Sequence, residues 1–330
     1  MTLEANPAKV DALHPCLERR FGGIRAIHRA DFEESTSFPL EILTVELEDG
    51  RTAKVLLKDL SSSRLPKDDL AARRDRERGV YRDLLSKEDL GTAECYGTVW
   101  DESSGRFWLL LELVDGRLLR DSRFVDWVKA AGWLGRFQGH FARRERELES
   151  CRFLIRHDAD FYHAHANAAL QAVTSVYPEW SRRIAGIIAR YRERIDLLTT
   201  EPVTLVHGSY RPQNILISQD AEAARVVVVD WELAALGSPL YDFAFLADGF
   251  PSDQLAVLWN AYRAEAKTHG LLVPDGGRMR RVIDSFRLHK TLKSLGDSIR
   301  LKFDERTTSK LVVMAETLAS APDLLAELLP

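Results

Sequence analysis

The fold is decided by two stretches, LVHGSYRPQNILI (residues 205–217) and VVVVDWELAALGSPLYDFA (residues 226–244). Val226–Val229 is a short run of β-branched apolar residues, which is typical of a fully buried strand. Ile215–Ile217 is a second apolar run, and it follows a His-Gly turn signal. The two stretches therefore predict a pair of strands joined by a polar connection.

Two oxygen-bearing side chains flank these strands. Asn214 stands at the start of one strand, and Asp230 stands at the end of the other. An amide oxygen and a carboxylate suit a hard cation such as Mg²⁺, which takes a few protein oxygens and keeps the rest of its shell for water and phosphate. The sequence therefore predicts Asn214 and Asp230 as metal ligands.

The order H-G-x-x-x-x-x-N, strand-D-W-E and G-S-P-L-Y-D resembles the aminoglycoside phosphotransferase and choline kinase-like branch of the protein-kinase superfamily. In that family His-Gly-Asp-x-x-x-x-Asn forms the catalytic loop, and the later Asp binds the metal. The resemblance implies that His207 belongs to the catalytic loop and that Asn214 and Asp230 hold Mg²⁺. It also implies that Asp242 is the buried acid that braces this loop.

One position departs from the family pattern. Ser209 stands where the family has its catalytic Asp, and a serine cannot accept a proton at neutral pH. Loss of a general base typically costs about 10²–10⁴-fold in rate, but positioning and charge neutralisation, the main sources of catalysis in phosphoryl transfer, would remain. We expect Ser209 to orient a substrate hydroxyl, while Glu232 or the substrate itself takes the proton.

The small-lobe lysine of the resemblance has two candidates on one predicted strand. Leu40–Leu47 and Ala53–Lys58 flank an Asp-Gly hairpin turn. Lys58 ends its strand after two apolar residues, so we favour it as the lysine that reaches the nucleotide phosphates. Lys54 has the same side-chain parity and remains an alternative.

A helix is predicted to begin near Pro66 and to run to about Leu85, with acidic residues in its first turn. Glu77 is the acid that we pair with Lys58, as in the lysine–glutamate pair of kinases. Asp75 is a competitor for that role.

Two further segments contact the nucleotide in the resemblance. The loop Asp31–Phe38 contains no glycine, but Ser35 and Thr36 offer hydroxyl and backbone donors to a phosphate; a plain polar loop is the alternative. The backbone at Glu112 and Val114 corresponds to the hinge that hydrogen-bonds adenine.

Composition narrows the class of protein. The chain has 330 residues, 45% of them apolar and 29% charged, which predicts a globular protein of about two domains. A net charge of −4 argues against nucleic acid as the main partner. The three cysteines are widely spaced and support no disulfide framework or metal motif. With no signal-peptide pattern and no apolar run of about 20 residues, we expect a cytoplasmic protein without a membrane partner.

These observations predict an α+β, two-lobed, protein-kinase-like fold. Residues 1–113 would form a small β-rich nucleotide-binding lobe, and residues 114–330 a larger, mainly helical lobe with the metal loop and the substrate side. The resemblance implies transfer of the ATP γ-phosphoryl group to a hydroxyl of a small molecule (a sugar, aminocyclitol or alcohol) or of a peptide. The alternative, which Ser209 favours, is a catalytically impaired or repurposed kinase fold, such as a nucleotide-binding partner or an adenylylating enzyme.

Overall fold

The structure, a computed structural model, describes residues 7–32, 37–199, 202–218, 225–274 and 276–320. Contacts divide the chain into two compact units: unit 1 comprises Met1–Leu118 and Leu216–Glu232, and unit 2 comprises Leu119–Ile215 and Leu233–Pro330. The division of roles at residue 113 stays a prediction. The contact units differ from it in two respects: the first boundary falls after Leu118, and the late segment that carries Asp230 packs within unit 1.

The strands of the described residues are, in chain order, β1 (Ile24–Asp31), β2 (Leu40–Leu47), β3 (Thr52–Asp59), β4 (Cys95–Asp101), β5 (Arg106–Glu112), β6 (Gly116–Leu118), β7 (Ile155–Arg156), β8 (Thr204–Val206), β9 (Ile215–Ser218), β10 (Val226–Val228) and β11 (Ala235–Gly237). The helices are α1 (Pro7–Phe21), α2 (Leu70–Gly79), α3 (Phe124–Ala142), α4 (Glu145–Ser150), α5 (Ala159–Val176), α6 (Ser181–Arg192), α7 (Ile195–Thr199), α8 (Leu240–Leu246), α9 (Ser252–Thr268), α10 (Gly276–Gly296) and α11 (Glu305–Ser320). Among these described helices, none combines the length and the apolar character needed to cross a membrane.

Unit 1 is built on an antiparallel sheet of order β1-β2-β3-β5-β4. The predicted Asp-Gly hairpin between β2 and β3 is present: Gly50 has a φ of +86°, which suits glycine, and the Leu47 N–H donates to the Arg51 carbonyl at 2.9 Å. This turn sets the register that pairs Leu40 with Lys58.

The side chains of β3 point alternately into the apolar core of unit 1 and toward its charged face. Val55 and Leu57 are fully buried in a cluster that includes Leu13 and Leu17 of α1. Successive side chains of a strand point to opposite faces, so Lys58 lies on the other face of the sheet, where it meets α2. The strand thus presents its lysine to a helix and its aliphatic residues to the core.

Helix α2 is shorter than predicted. It begins at Leu70 because Asp69, with a φ of +46°, is its N-cap and accepts a hydrogen bond from the Ala72 N–H at 3.3 Å. After Gly79 the chain continues as a π-helical turn, Val80–Leu85. The Ser86 N–H donates to the carbonyl of Tyr81, five residues earlier, as a π-helix requires.

A second sheet in unit 1 explains why Leu216–Glu232 packs there. Its order is β10-β9-β6, and Gly116 pairs with Ser218. Strand β6 begins at Gly116, shortly after the end of β5, and pairs with β9. Glycine permits this close approach: a Cβ at Gly116 would lie 3.0 Å from the Ile217 carbonyl oxygen. Strand β10 ends one residue before the predicted Val229.

Unit 2 is mainly helical, as predicted. Helices α3 and α9 pack closely at Gly135, where a Cβ would lie only 2.2 Å from the Tyr262 carbonyl oxygen. The apolar side chains of Leu134, Phe137 and Phe141 on α3 are buried. The short sheet β7-β11-β8 in this unit leads directly into the loop that begins at His207.

Candidate active site

Lys58 is the centre of a buried charge cluster in unit 1. Its Nζ lies 2.8 and 2.9 Å from the two carboxylate oxygens of Glu77, and 2.6 Å from Oδ1 of Asp230. The Lys58 side chain is 10% exposed and that of Glu77 is fully buried. The ion pair predicted between Lys58 and Glu77 is therefore present, and Asp230 shares the same lysine. Whether these residues bind a nucleotide stays a prediction.

Burial and charge compete in this cluster. Burial by itself lowers the pKa of Lys58, but the negative charges of Asp230 and Glu77 outweigh it, so the pKa of Lys58 is raised and the lysine is held charged. Burial raises the pKa of Glu77 to about 7, against the opposing charge of Lys58 and with the help of Asp230. The cluster is stable as an ion pair only while its lysine stays in place.

The alternatives that the sequence left open occupy different surroundings. Lys54, on the same face of β3, is exposed. Asp75 is 53% exposed and its nearest cation is Arg78, at 3.8 Å on the same helix. Neither residue belongs to the buried cluster, so the geometry favours Lys58 and Glu77.

Asp230 has an unusual backbone conformation. Its φ is +71°, in the left-handed region that non-glycine residues rarely adopt. The next residue, Trp231, is fully buried and donates its indole N–H to the Val228 carbonyl at 3.2 Å. Backbone strain of this kind costs about 1–3 kcal/mol and is concentrated at functional sites. The metal-binding role of Asp230 stays a prediction.

The predicted phosphate-cover loop is only partly described. Ser35 and Thr36 lie outside the described residues. At the end of the loop Phe38 is buried, and its ring centroid lies 5.1 Å from Nζ of Lys58 and 4.4 Å from Nζ of Lys67. An aromatic face attracts cations at such distances, so Phe38 helps to hold both lysines beside each other.

The two hinge candidates differ in how their main chains are used. Glu112 ends β5, and its N–H donates to the Glu94 carbonyl at 2.8 Å. Its side chain accepts from Arg225 and from the Glu94 N–H. Val114 lies between β5 and β6 and is half-buried. The Glu94 carbonyl therefore already engages the Glu112 donor, whereas Val114 lies outside the strands.

Unit 2 carries the predicted catalytic loop, which is braced by Asp242. The buried Asp242 carboxylate accepts the His207 N–H at 2.6 Å and the Gly208 N–H at 3.0 Å. Burial raises the pKa of Asp242 to about 7, although the two main-chain donors oppose this shift. The side chain thus fixes the first two residues of the loop through their backbone.

Gly208 is required by geometry. Its φ is +78°, and a Cβ there would lie 2.0 Å from the Leu233 carbonyl oxygen. Tyr210 adds a further anchor, since its hydroxyl donates to the Ala130 carbonyl of α3 at 2.8 Å. The loop therefore has little freedom to shift within unit 2.

Ser209 and Asn214 contact each other in this loop. The Asn214 side-chain N–H donates to the Ser209 carbonyl at 3.0 Å and lies 3.4 Å from the Ser209 hydroxyl. The Ser209 N–H donates to Nδ1 of His207 at 3.2 Å. Both contacts of Asn214 use its nitrogen, which leaves its oxygen without a protein partner among the described residues.

Asn214 and Asp230 suit Mg²⁺ better than a metal that is coordinated by protein side chains alone. Within the described ranges, no group of three or more His, Cys, Asp or Glu side chains is arranged to hold a metal ion. Mg²⁺ needs only one or two protein oxygens because it keeps water and phosphate as ligands. The uncommitted oxygen of Asn214 and the carboxylate of Asp230 are donors of that type.

Sequence reasoning missed the surroundings of Glu232. Its Oε1 accepts from Lys67 and, at 3.2 Å, from Arg73. Its main-chain oxygen accepts from Arg76 at 2.5 Å. The available signal was the pair of arginines three residues apart, on the helix face that also carries Glu77.

Comparison with known proteins gives the family. A model described as the phosphotransferase enzyme family (APH) matches residues 42–280, more than half of the chain. No curated protein matches the sequence.

Solved structures show the same fold. A choline/ethanolamine kinase family protein from Mesorhizobium loti is 15% identical, with 96% of this chain and 95% of that chain covered and a TM-score of 0.59. The GDP and kanamycin complex of APH(2")-IIia is 14% identical, with 93% and 98% covered and a TM-score of 0.59. Macrolide 2'-phosphotransferase MphH from Brachybacterium faecium is 17% identical, with 96% and 99% covered and a TM-score of 0.53.

The chain therefore belongs to the phosphotransferase enzyme family. The predicted family, the α+β kinase-like fold and the class of enzyme are confirmed. The nucleotide, the metal, the acceptor and the roles of individual residues stay predictions.

Proposed function

We propose that this protein transfers the γ-phosphoryl group of ATP to a hydroxyl group of a small molecule. The proposal rests on one observation: Lys58 forms ion pairs with both Glu77 and Asp230 in a buried cluster. Burying several charges is costly and is weak evidence for stability. A phosphate-binding role gives this arrangement a use, because transfer of a phosphoryl group depends on fixed positive charge.

The residues of unit 1 bind the nucleotide in this proposal. Lys58 contributes the charge that faces the phosphates, and Glu77 keeps its ammonium group in place. Ser35 and Thr36 are candidate phosphate donors. The main chain of Val114 is the first candidate for adenine recognition, since the Glu112 N–H is already used by Glu94.

Asp230 and Asn214 would each supply one oxygen to Mg²⁺. When bound, the ion neutralises phosphate charge and orients the nucleotide. The left-handed conformation of Asp230 and the nitrogen-only hydrogen bonding of Asn214 support these roles. Asn214 is oriented by Ser209, so the amide oxygen is the part of the side chain that remains for the ion.

Ser209 orients the acceptor in this proposal. Its hydroxyl lies in a loop whose backbone is fixed by Asp242, and His207 accepts the Ser209 N–H. A loose, largely dissociative transition state needs little help from a base. The substrate hydroxyl would therefore lose its proton late. Sugars, aminocyclitols, alcohols and peptide hydroxyls are all candidates.

The proposal is tested by calorimetry with ATP and Mg²⁺, followed by ADP release with a panel of hydroxyl compounds. We expect metal-dependent ATP binding that is abolished in Asp230→Ala. The matched control is Asp121→Ala, which removes an acid that is 60% exposed. Unchanged metal-dependent binding in Asp230→Ala would rule out the assignment.

The second candidate is a repurposed or catalytically impaired fold, and Ser209 at the position of the base favours it. Adenylylation would release pyrophosphate from ATP, whereas phosphoryl transfer releases ADP. A nucleotide-binding partner protein would release neither. Measuring both products in one reaction therefore separates the candidates.

A further inference from the structure

Glu232 connects the segment after β10 to α2 at two points and to Lys67, which precedes α2, at a third. Its Oε1 accepts from Lys67 and Arg73, and its main-chain oxygen accepts from Arg76. The Glu232 side chain is 8% exposed, like that of Lys67, and that of Arg73 is 12% exposed. Ion pairs buried to this extent are strongly coupled, because removing one partner leaves an uncompensated charge.

The three cations come from one short segment. Lys67 precedes α2, and Arg73 and Arg76 lie three residues apart on it. Residues three and four apart share a helix face, so this face also carries Glu77, four residues after Arg73. The helix face that contacts Glu232 is therefore the same face that places Glu77 against Lys58.

A role as proton acceptor does not fit this geometry. Both contacts of the Glu232 carboxylate use Oε1, and each partner is a buried cation. Its other oxygen is buried and has no hydrogen-bond partner among the described residues. Moving the carboxylate to a substrate would break two buried ion pairs.

We propose that Glu232 is a positioning residue that fixes α2 on the end of β10 and thereby keeps Glu77 on Lys58. Asp230, two residues earlier, reaches the same lysine directly. The segment after β10 thus holds α2 twice, once through Lys58 and once through the arginines. The link to nucleotide affinity rests on the proposed function, whereas the link to helix position does not.

The experiment compares Glu232→Gln, Arg73→Met and the double variant with the wild type. The first readout is hydrogen exchange of the amides of residues 70–79 without nucleotide. We expect about tenfold faster exchange in each single variant and an increase in the double variant that is well below the product of the two, because both changes remove the Arg73–Glu232 contact while each also removes a contact of its own. Arg73→Lys keeps a cation and should restore most of the protection.

The second readout is ATP affinity by calorimetry without an acceptor. We expect about tenfold weaker binding in each single variant, which corresponds to about 1.4 kcal/mol. The matched control is Asp75→Asn, which removes an exposed acid from the same helix and should change neither readout. If Glu232→Gln does not fold, Lys67→Met tests the other ion pair of the same carboxylate, and we expect it to speed exchange and weaken ATP binding in the same direction.

The outcomes separate the two proposals. If the wild type binds no ATP, the proposed function fails, and hydrogen exchange still decides the role of Glu232. Wild-type exchange in both Glu232→Gln and Arg73→Met would overturn the positioning role. So would a loss of phosphoryl transfer in Glu232→Gln with normal activity in Arg73→Met, since that result would make Glu232 the proton acceptor.

Discussion

The buried clusters around Lys58 in unit 1 and Asp242 in unit 2 neutralise charge in different ways. Lys58 is balanced by the side chains of Glu77 and Asp230. Asp242 is balanced by the main-chain N–H groups of His207 and Gly208, together with the Gln138 side chain. The first cluster therefore depends on the identity of side chains, and the second depends mainly on the path of the backbone.

This difference indicates which kind of substitution should destabilise each unit. In unit 1, removing a single charge leaves opposite charges buried without compensation. In unit 2, a change in backbone conformation would withdraw the donors that Asp242 needs. Four substitutions test the comparison, and they are ordered from the largest expected effect to the smallest.

Lys58→Met should have the largest effect. It leaves Glu77 and Asp230 facing each other without their cation, and we expect a loss of about 3–5 kcal/mol of stability, as for other broken buried pairs. Removing one group that stabilises the transition state also costs about 10²–10³-fold in rate. Urea unfolding and ADP release measure the two effects.

Lys54→Met is the matched control for this change, because it removes an exposed lysine from the same face of β3. It should alter stability by less than about 0.5 kcal/mol. Equal losses in both variants would show that the buried cluster has no special importance.

Gly208→Ala should have the second largest effect. The added Cβ would clash with the Leu233 carbonyl oxygen at 2.0 Å and would strain a φ of +78°. We expect a loss of about 3 kcal/mol, at the upper end for backbone strain, measured by thermal unfolding. Gly186→Ala is the control, because a Cβ there meets no atom within 4 Å. That variant should be at least as stable as the wild type.

Asp242→Asn should cost about 1–3 kcal/mol of stability, because an amide offers only one oxygen and places donors against the loop N–H groups.

The pKa of Asp242 is raised to about 7 by burial, from an ordinary value of 3.8. The folded protein therefore keeps this proton where the unfolded chain has lost it. The stability that Asp242 contributes is fully present below pH 3.8 and declines as the pH rises to about 7.

Urea unfolding at several pH values checks this sign. The stability difference between the wild type and Asp242→Asn should shrink from pH 4 to pH 7. A difference that grows over this range would contradict the raised pKa.

Ser209→Asp should have the smallest of these effects and the opposite direction. A carboxylate at this position restores a proton acceptor, and we expect about a tenfold gain in ADP release, less than the full contribution of a general base. Ser209→Ala should change the rate by less than about threefold, because a hydroxyl only orients the acceptor. A large loss in Ser209→Ala would instead show that the serine takes part in the chemistry.

Local patterns predicted much of unit 1 and of the loop. Alternation and the Asp-Gly turn gave the bounds of Leu40–Leu47 correctly, and the position near a strand end favoured Lys58 over Lys54. The pairing of Lys58 with Glu77 came from the resemblance to kinases. The strand bounds and the choice of Lys58 depend on signals within a few residues, where periodicity and turn chemistry are informative. The contact between Asp242 and the loop that begins at His207 was likewise predicted, because both residues belong to the motif that resembles the family.

Long-range features could not be predicted in the same way. The partners of Glu232 lie 156 to 165 residues away in the chain, and no local pattern marks such contacts. The pairing of β6 with β9 involves three residues on each side and has no periodicity of its own. The assignment of Leu216–Glu232 to unit 1 follows from this pairing, so it was missed together with β6.

The π-helical turn at Val80–Leu85 changes the direction in which side chains point around the axis of the helix that begins with α2. Its hydrogen bonds join residues five apart rather than four, so the residues of this turn are rotated relative to the positions they would take if α2 simply continued. The charged face with Arg73 and Glu77 and the buried face with Tyr81 and Leu84 can therefore vary independently over evolution. A one-residue deletion in this turn would let α2 continue with α-helical geometry to its end while leaving the contacts of Glu77 in register.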